Sequence, residues 1–244
     1  MDMHPRGRMA ESLEAELRAR FAVREERFAH GGWEVELILP RAADELIDEN
    51  EFASDERLPY WAELWPSARA LARHLLDTTA RVRECESANV GEWDGGRVLE
   101  LGCGVALPSL AMLARGAEVL ATDWYDDALR FARANAERNG LPPLRTELLD
   151  WRLPRGGWGY DLVLAADVLY EQRNAALLAE LLPRVTAPGG TVLVADPGRI
   201  YAGDFLRMMR DIGWRVAEAA VLAEPSAPGV ESRVRIYRLE RDTG

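Results

Sequence analysis

From Arg97 onward, short β-rich runs alternate with stretches of helical periodicity, and this order constrains the fold more than any other feature of the chain. The runs are Val98 to Leu101, Val119 to Thr122, Leu144 to Leu148, Leu162 to Ala165 and Thr191 to Ala195. Strands separated by helices cannot pair as hairpins, so the pattern predicts a parallel sheet covered by helices. The helix from Asp126 is well punctuated, with Asp126 and Asp127 at its positive end, Arg138 near its negative end and Gly140 as a stop. The tail differs. Trp214 to Leu222 and Arg233 to Leu239 read as strands with only Glu224 to Gly229 between them, and so short a loop favours an antiparallel pair. The expected fold is α/β: a mostly parallel seven-stranded sheet, an antiparallel C-terminal hairpin, and helices on both faces.

Ahead of this core, residues 8–29 read as a charged helix, with Leu13, Leu17 and Phe21 at a spacing of four. Gly31-Gly32 breaks that pattern, and Trp33 to Leu39 reads as a strand ended by Pro40. Pro66 opens a further helix that sets Ala68, Leu71, Ala72, Leu75 and Leu76 on one face. The reading divides the chain into an accessory helix and strand (1–55) and the main domain (56–244).

A net charge of -11 argues against a nucleic-acid partner, because phosphate binding needs a basic footprint. No apolar run reaches membrane-spanning length, and Met1 to Arg24 lacks a secretory apolar core, so the cytoplasm is the expected compartment. Cys85, Cys103 and three scattered histidines offer neither a disulfide framework nor metal-ligand spacing.

Gly102 and Gly104, in Val98-Leu-Glu-Leu-Gly-Cys-Gly-Val-Ala106, fall in a strand-to-helix turn where missing side chains let a ligand approach the backbone. Leu107 replaces the third glycine of the dinucleotide fingerprint, and Glu100 sets a carboxylate where a pyrophosphate would be repelled. The ammonium and sulfonium of S-adenosylmethionine suit such an acid better; a tight turn without a ligand is the plainer alternative. Asp123, nineteen residues after Gly104 at the end of the second strand, can accept from both ribose hydroxyls, or can cap the helix near Asp126. Trp124 can lie on an adenine face or pack on that helix. Asp150-Trp151 follows the third strand, where the acid can accept from an adenine amino group or simply make a polar loop.

After the fourth strand comes Ala165-Ala166-Asp167-Val168-Leu169-Tyr170-Glu171, an acid and an aromatic three apart in place of the Asn/Asp-Pro-Pro-Tyr/Phe motif of conjugated-amine methylation. Asp167 and Tyr170 can face one side of a helix or turn at the sheet's carboxyl edge, or can be an N-cap and a packed tyrosine.

Together Pro59-Tyr60-Trp61-Ala62-Glu63-Leu64-Trp65-Pro66, the Glu100 to Gly104 turn, Asp167 to Tyr170 and Ala195-Asp196-Pro197-Gly198-Arg199 resemble the seven-strand, class I protein-lysine methyltransferases, most nearly those acting on the electron-transfer flavoprotein β subunit. The likeness runs over roughly residues 55–240. It implies S-adenosylmethionine as cofactor, held by Trp65, Glu100, Gly102, Gly104, Asp123, Trp124, Asp150, Trp151 and Ala166. It also implies that Asp167 and Tyr170 face the acceptor amine, that Asp196 and Arg199 sit on a substrate-side loop, and that the partner is a protein, with the flavoprotein β subunit as candidate. Trp65 can equally anchor the Pro66 helix, and Asp196 to Arg199 can be an ordinary turn. N-methylation of a small amine or heteroaromatic metabolite, and S-adenosylmethionine binding without catalysis, remain the alternatives. All 30 basic residues are arginine, so a lysine methyltransferase with this sequence has no lysine of its own to modify.

Overall fold

The computed structural model describes residues 12–46, 58–84, 95–153 and 159–241. The N-terminal helix departs from expectation. Helix α1 covers only Leu13–Arg20, with Phe21 as its C-cap, and residues 23–29 of the expected helix lie in strand β1, Val23–His30, which pairs antiparallel with β2, Trp33–Pro40. Residues 8–11 of the expected helix, the expected boundary at 55/56 and Cys85 lie outside the described residues. Helix propensity loses here because Gly31 and Gly32, at φ 57° and 79°, close a two-residue turn that sets His30 opposite Trp33. The resulting pairing buries Phe28, and such pairing outweighs the local preference of an Arg/Glu-rich segment.

The remaining elements follow the expected order: α2 (Pro66–Glu84), β3 (Arg97–Leu101), α3 (Leu107–Leu113), β4 (Glu118–Asp123), α4 (Asp126–Arg138), β5 (Arg145–Leu148), β6 (Tyr160–Ala166), α5 (Gln172–Val185), β7 (Thr186–Asp196), α6 (Ala202–Asp211), β8 (Trp214–Ala227) and β9 (Val230–Arg241). The seven-stranded sheet has the order β5-β4-β3-β6-β7-β9-β8, parallel from β5 to β7 and antiparallel at β7/β9 and β9/β8. The terminal hairpin is longer than the sequence pattern predicts, since Ala227 already opposes Val230 across a turn with Gly229 at φ 74°.

Both faces of the parallel strands are apolar, as full coverage by helices demands. Val98, Val119, Ala121, Leu162, Leu164 and Leu193 point into one core with Leu71, Leu75, Leu107, Leu110, Leu129 and Ala132 of α2, α3 and α4. Their alternates Leu99, Leu101, Val163, Ala165, Val192 and Val194 meet Leu178, Leu182, Phe205 and Met209 of α5 and α6.

The N-terminal hairpin shares the first of these cores through Phe28, Val35, Leu37 and Leu39. Two amide side chains on α4 and its C-terminal end fix its position. Asn135, fully buried, accepts from Ile38 N–H at 2.8 Å and donates to Ile38 C=O at 3.2 Å. Asn139 does the same for Glu36, at 2.9 and 2.8 Å.

Candidate active site

Strands β3, β4, β5, β6 and β7 all end at one edge of the sheet, at Leu101, Asp123, Leu148, Ala166 and Asp196. Side chains that must stay polar collect there because each strand gives way to a loop. The β3–α3 turn is tight. Gly102 and Gly104 adopt φ 65° and 51°, and a Cβ would sit 3.1 Å from Val168 Cγ1 at the first and 3.1 Å from the Trp61 carbonyl oxygen at the second. Backbone conformation and close approach both require glycine at these positions.

Asp123 closes the turn from below. Its Oδ2 accepts from Gly104 N–H at 2.9 Å and its Oδ1 from Tyr125 N–H at 3.0 Å, tying the glycine turn to the start of α4. Tyr125, not Asp123, is the N-cap residue of α4. Glu100 is deeper than expected. Its carboxyl accepts from Ser109 N–H at 2.9 Å and from the Ser109 hydroxyl. Burial pushes its pKa up to about 8 despite those hydrogen bonds, and nearby Asp123 adds to the rise. Desolvation thus favours the neutral acid, and an arriving cation would help to ionise it.

Above the turn lies a cleft of about 730 Å³. Trp65, Glu100, Gly102, Gly104, Asp123, Trp124, Asp150, Trp151, Ala166, Asp167, Tyr170 and Arg199 all line it. Trp151 approaches the turn, 3.8 Å from where a Gly102 Cβ would lie. Trp124 carries the Arg152 guanidinium 4.8 Å from its ring centroid, and Arg152 Nε donates to Asp150 at 2.9 Å.

In the same cleft stands Asp167, at φ 59° and with its side chain 3% exposed. Aspartate is among the few side chains that tolerate this left-handed backbone. Its N–H donates to Ala195 C=O at 2.9 Å, so β7 sets its height. It is no N-cap, since α5 begins at Gln172. Its Oδ2 accepts from Ser67 Oγ at 3.0 Å and its Oδ1 from Arg199 Nε at 2.7 Å. The Tyr170 ring packs edge-on against Tyr60 at 5.0 Å, Tyr60 against Trp65 at 6.0 Å, and the Arg199 guanidinium lies 5.5 Å from the Trp65 centroid.

Asp196 does not line the cleft. It is 1% exposed, and its Oδ1 accepts from Gly198 N–H and Arg199 N–H at 2.7 and 2.8 Å, so it shapes the loop that presents Arg199. An acid at the end of a buried strand, ahead of Pro-Gly, satisfies the turn it begins, so the loop reaches the cleft through Arg199 and not through the Asp196 side chain.

Three contributors carry no role of their own in the sequence reading: Ser67, and Tyr60 and Trp61, which enter it only within the aromatic segment Pro59 to Pro66. Ser67 sits in the first turn of α2, where nothing local distinguishes it from a capping serine. Tyr60 and Trp61 belong to a short 3₁₀ turn, Tyr60–Ala62, whose place over the glycine turn depends on tertiary packing. Among the described residues no cluster of His, Cys, Asp and Glu is arranged to hold a metal, and no helix is long and apolar enough to cross a membrane.

The chain is 40% identical to the electron transfer flavoprotein beta subunit lysine methyltransferase of Xenopus laevis over 145 residues, covering 58% of this chain and 53% of that protein. It is 30% identical to EEF1A lysine methyltransferase 3 of Mus musculus over 151 residues, 60% of each chain. The chain thus spans about half the length of the first curated relatives it matches. Among solved structures, magnesium protoporphyrin IX methyltransferase from Synechocystis, with S-adenosylmethionine bound, superposes at TM-score 0.54 with 16% identity, covering 82% of this chain and 95% of that one. That likeness shows the fold: a Rossmann-like α/β sheet covered by helices. The family described as lysine methyltransferase matches residues 52–211, from ahead of the aromatic segment to the end of α6, and the chain belongs to that family.

Proposed function

We propose that the protein transfers a methyl group from S-adenosylmethionine to the side-chain amine of a lysine in a protein substrate, with the electron-transfer flavoprotein β subunit as first candidate. The observation that carries this reading is Asp167: a buried carboxylate held at positive φ, in a cleft walled by Trp65 and Tyr170 and continuous with the glycine turn. Family membership and the named activities of the relatives support it.

The residues present suit the methyl donor. Gly102 and Gly104 leave backbone uncovered by side chains, Glu100 and Asp123 offer acids near a cation, and Trp124, Asp150 and Trp151 offer aromatic and acceptor surface for a nucleoside. When bound, S-adenosylmethionine supplies an electrophilic methyl on a sulfonium. The protein's own work is placement. Direct transfer to an amine depends on alignment more than on a covalent catalyst. Asp167 accepts from the acceptor amine and fixes its lone-pair direction. Tyr60, Trp65 and Tyr170 exclude water and present ring faces to cationic groups. A free lysine titrates near 10.4, so desolvation by these walls must favour the neutral amine, with water carrying off the proton.

We assign the enzyme to the cytoplasm, where buried, unpaired Cys103 fits a reducing compartment; cell fractionation checks this. The activity test is transfer of labelled methyl from S-adenosylmethionine into a lysate of a host lacking this gene, followed by mapping of the modified residue. Label on a lysine of a discrete protein supports the reading and names the partner. Label confined to small molecules replaces it with metabolite methylation. Binding of S-adenosylmethionine with no product from any pool would reduce the protein to a cofactor-binding role.

A further inference from the structure

We infer that Arg199 cancels the charge of Asp167 without using up its acceptor capacity, so that the acceptor lysine is received as a neutral amine. This rests on the proposed lysine-methylating function and goes on to name what sets the protonation state of its substrate.

The difficulty it resolves is electrostatic. A buried carboxylate beside an amine stabilises the ammonium form and raises its pKa, yet the ammonium has no lone pair with which to accept a methyl group. An isolated Asp167 would therefore bind lysine in its unreactive state. In the structure Asp167 is not isolated. One oxygen takes Arg199 Nε at 2.7 Å and the other takes Ser67 Oγ at 3.0 Å. A carboxylate has about four lone-pair sites, so roughly half remain for a substrate N–H. The group can still orient an amine while the pair as a whole is neutral.

Charged groups on the surrounding elements do not supply the same compensation. On the 58–65 segment, Glu63 pairs with Arg24. On the approach to α5, Arg173 pairs with Glu171. Glu100, Asp123 and Asp150 lie toward the glycine-turn side and are acids. On the β7–α6 loop, Asp196 also interacts with the Arg199 charge; its Oδ1 accepts from the Gly198 and Arg199 backbone while its buried Oδ2 meets no hydrogen-bond partner among the described residues, and burial, the largest influence, raises its pKa and so weakens its pull on the guanidinium. The stacking of Arg199 on Trp65 and the Asp196 turn together fix the guanidinium where it faces Asp167. Arg199 is thus a positioning residue acting through Asp167.

The test is the pH dependence of single-turnover methyl transfer, at saturating S-adenosylmethionine, for the wild type, Arg199→Gln and Arg199→Lys. Removing a unit charge within several ångströms of the amine at an effective dielectric near 20 should raise the midpoint of the rate profile by about 1–2 pH units in Arg199→Gln. At pH 7.5 this is a loss of roughly ten- to a hundredfold, recovered as the pH approaches its plateau. Arg199→Lys, which keeps the charge, should retain a midpoint close to that of the wild type. An Arg199→Gln variant that is slower at every pH with an unmoved midpoint overturns the inference, as does an equal shift in both variants, which would trace the effect to lost geometry. A wild type active on lysine with either of those results leaves the proposed function standing; a wild type inactive on every lysine substrate removes both.

Discussion

Gly102→Ala is the substitution whose consequence can be worked most closely from the structure. Gly102 sits at φ 65°, and an added Cβ would lie 3.1 Å from Val168 Cγ1 and 3.8 Å from Trp151 Cζ2, both side chains of the cleft wall. The left-handed backbone alone costs a non-glycine residue about 1–2 kcal/mol. Gly140, after α4, provides the control: it sits at φ 63°, and a Cβ there would meet nothing within 4 Å. Gly140→Ala should therefore show the backbone cost by itself, lowering Tm by about 2–8 °C at roughly 2–4 °C per kcal/mol for a chain of this size. Gly102→Ala should show that cost plus displacement of Val168 and Trp151, and weaken S-adenosylmethionine binding by about tenfold or more, equivalent to 1.4 kcal/mol. Differential scanning calorimetry and isothermal titration calorimetry on the two variants separate the contributions. Equal cofactor affinity in both variants would refute the argument that the space beside Gly102 belongs to the binding surface.

Other outcomes follow from the same geometry. Asp167→Asn keeps a residue that tolerates positive φ but removes the charge, and should cut methyl transfer by about a hundredfold or more, the scale of one positioned catalytic group; cofactor affinity, read by calorimetry, should hardly change, and undiminished turnover would remove Asp167 from the mechanism. Glu100 keeps its proton in the folded protein up to about pH 8, while in the unfolded chain it ionises in the ordinary carboxylate range. Its contribution to stability is therefore full in acid and is lost as pH rises toward 8. Urea midpoints between pH 5 and 9 should fall less steeply in Glu100→Gln than in the wild type, and parallel slopes would show that Glu100 ionises freely. Asn135→Ala strands both backbone groups of Ile38 and should cost about 2–4 kcal/mol by urea unfolding; a loss below the experimental error would mean the hairpin docks by its apolar face alone.

The parallel core was legible because its signal is periodic and repeated: five apolar runs, helices between them, and a well-marked start and stop for α4. The N-terminal hairpin was not. Val23–His30 carries four charged residues among eight, so local preference favours a helix, and only pairing across Gly31-Gly32 reverses it. Within the site, the glycine turn, Asp123 and Asp167 could be found because each occupies a fixed offset from a strand end. Ser67 could not, since its partner lies 100 residues away and its own neighbourhood reads as a helix start. Asp196 and Glu100 were located correctly at the sheet edge, but their burial was invisible in the sequence. That burial sets Asp196 to fastening the loop that presents Arg199, and it raises the Glu100 pKa.

The amides of Asn135 and Asn139 have one more consequence. A two-stranded ribbon has two open rims, and the outer rim of β2 offers alternate N–H and C=O groups to any extended chain that comes alongside. At Glu36 and Ile38 those four groups are already taken, by two side chains one helical turn apart. The helix imitates a third strand over that stretch without supplying a peptide backbone. An incoming chain would have to dislodge a buried amide before it could add to the ribbon along β2, so that rim is guarded against self-association over this stretch.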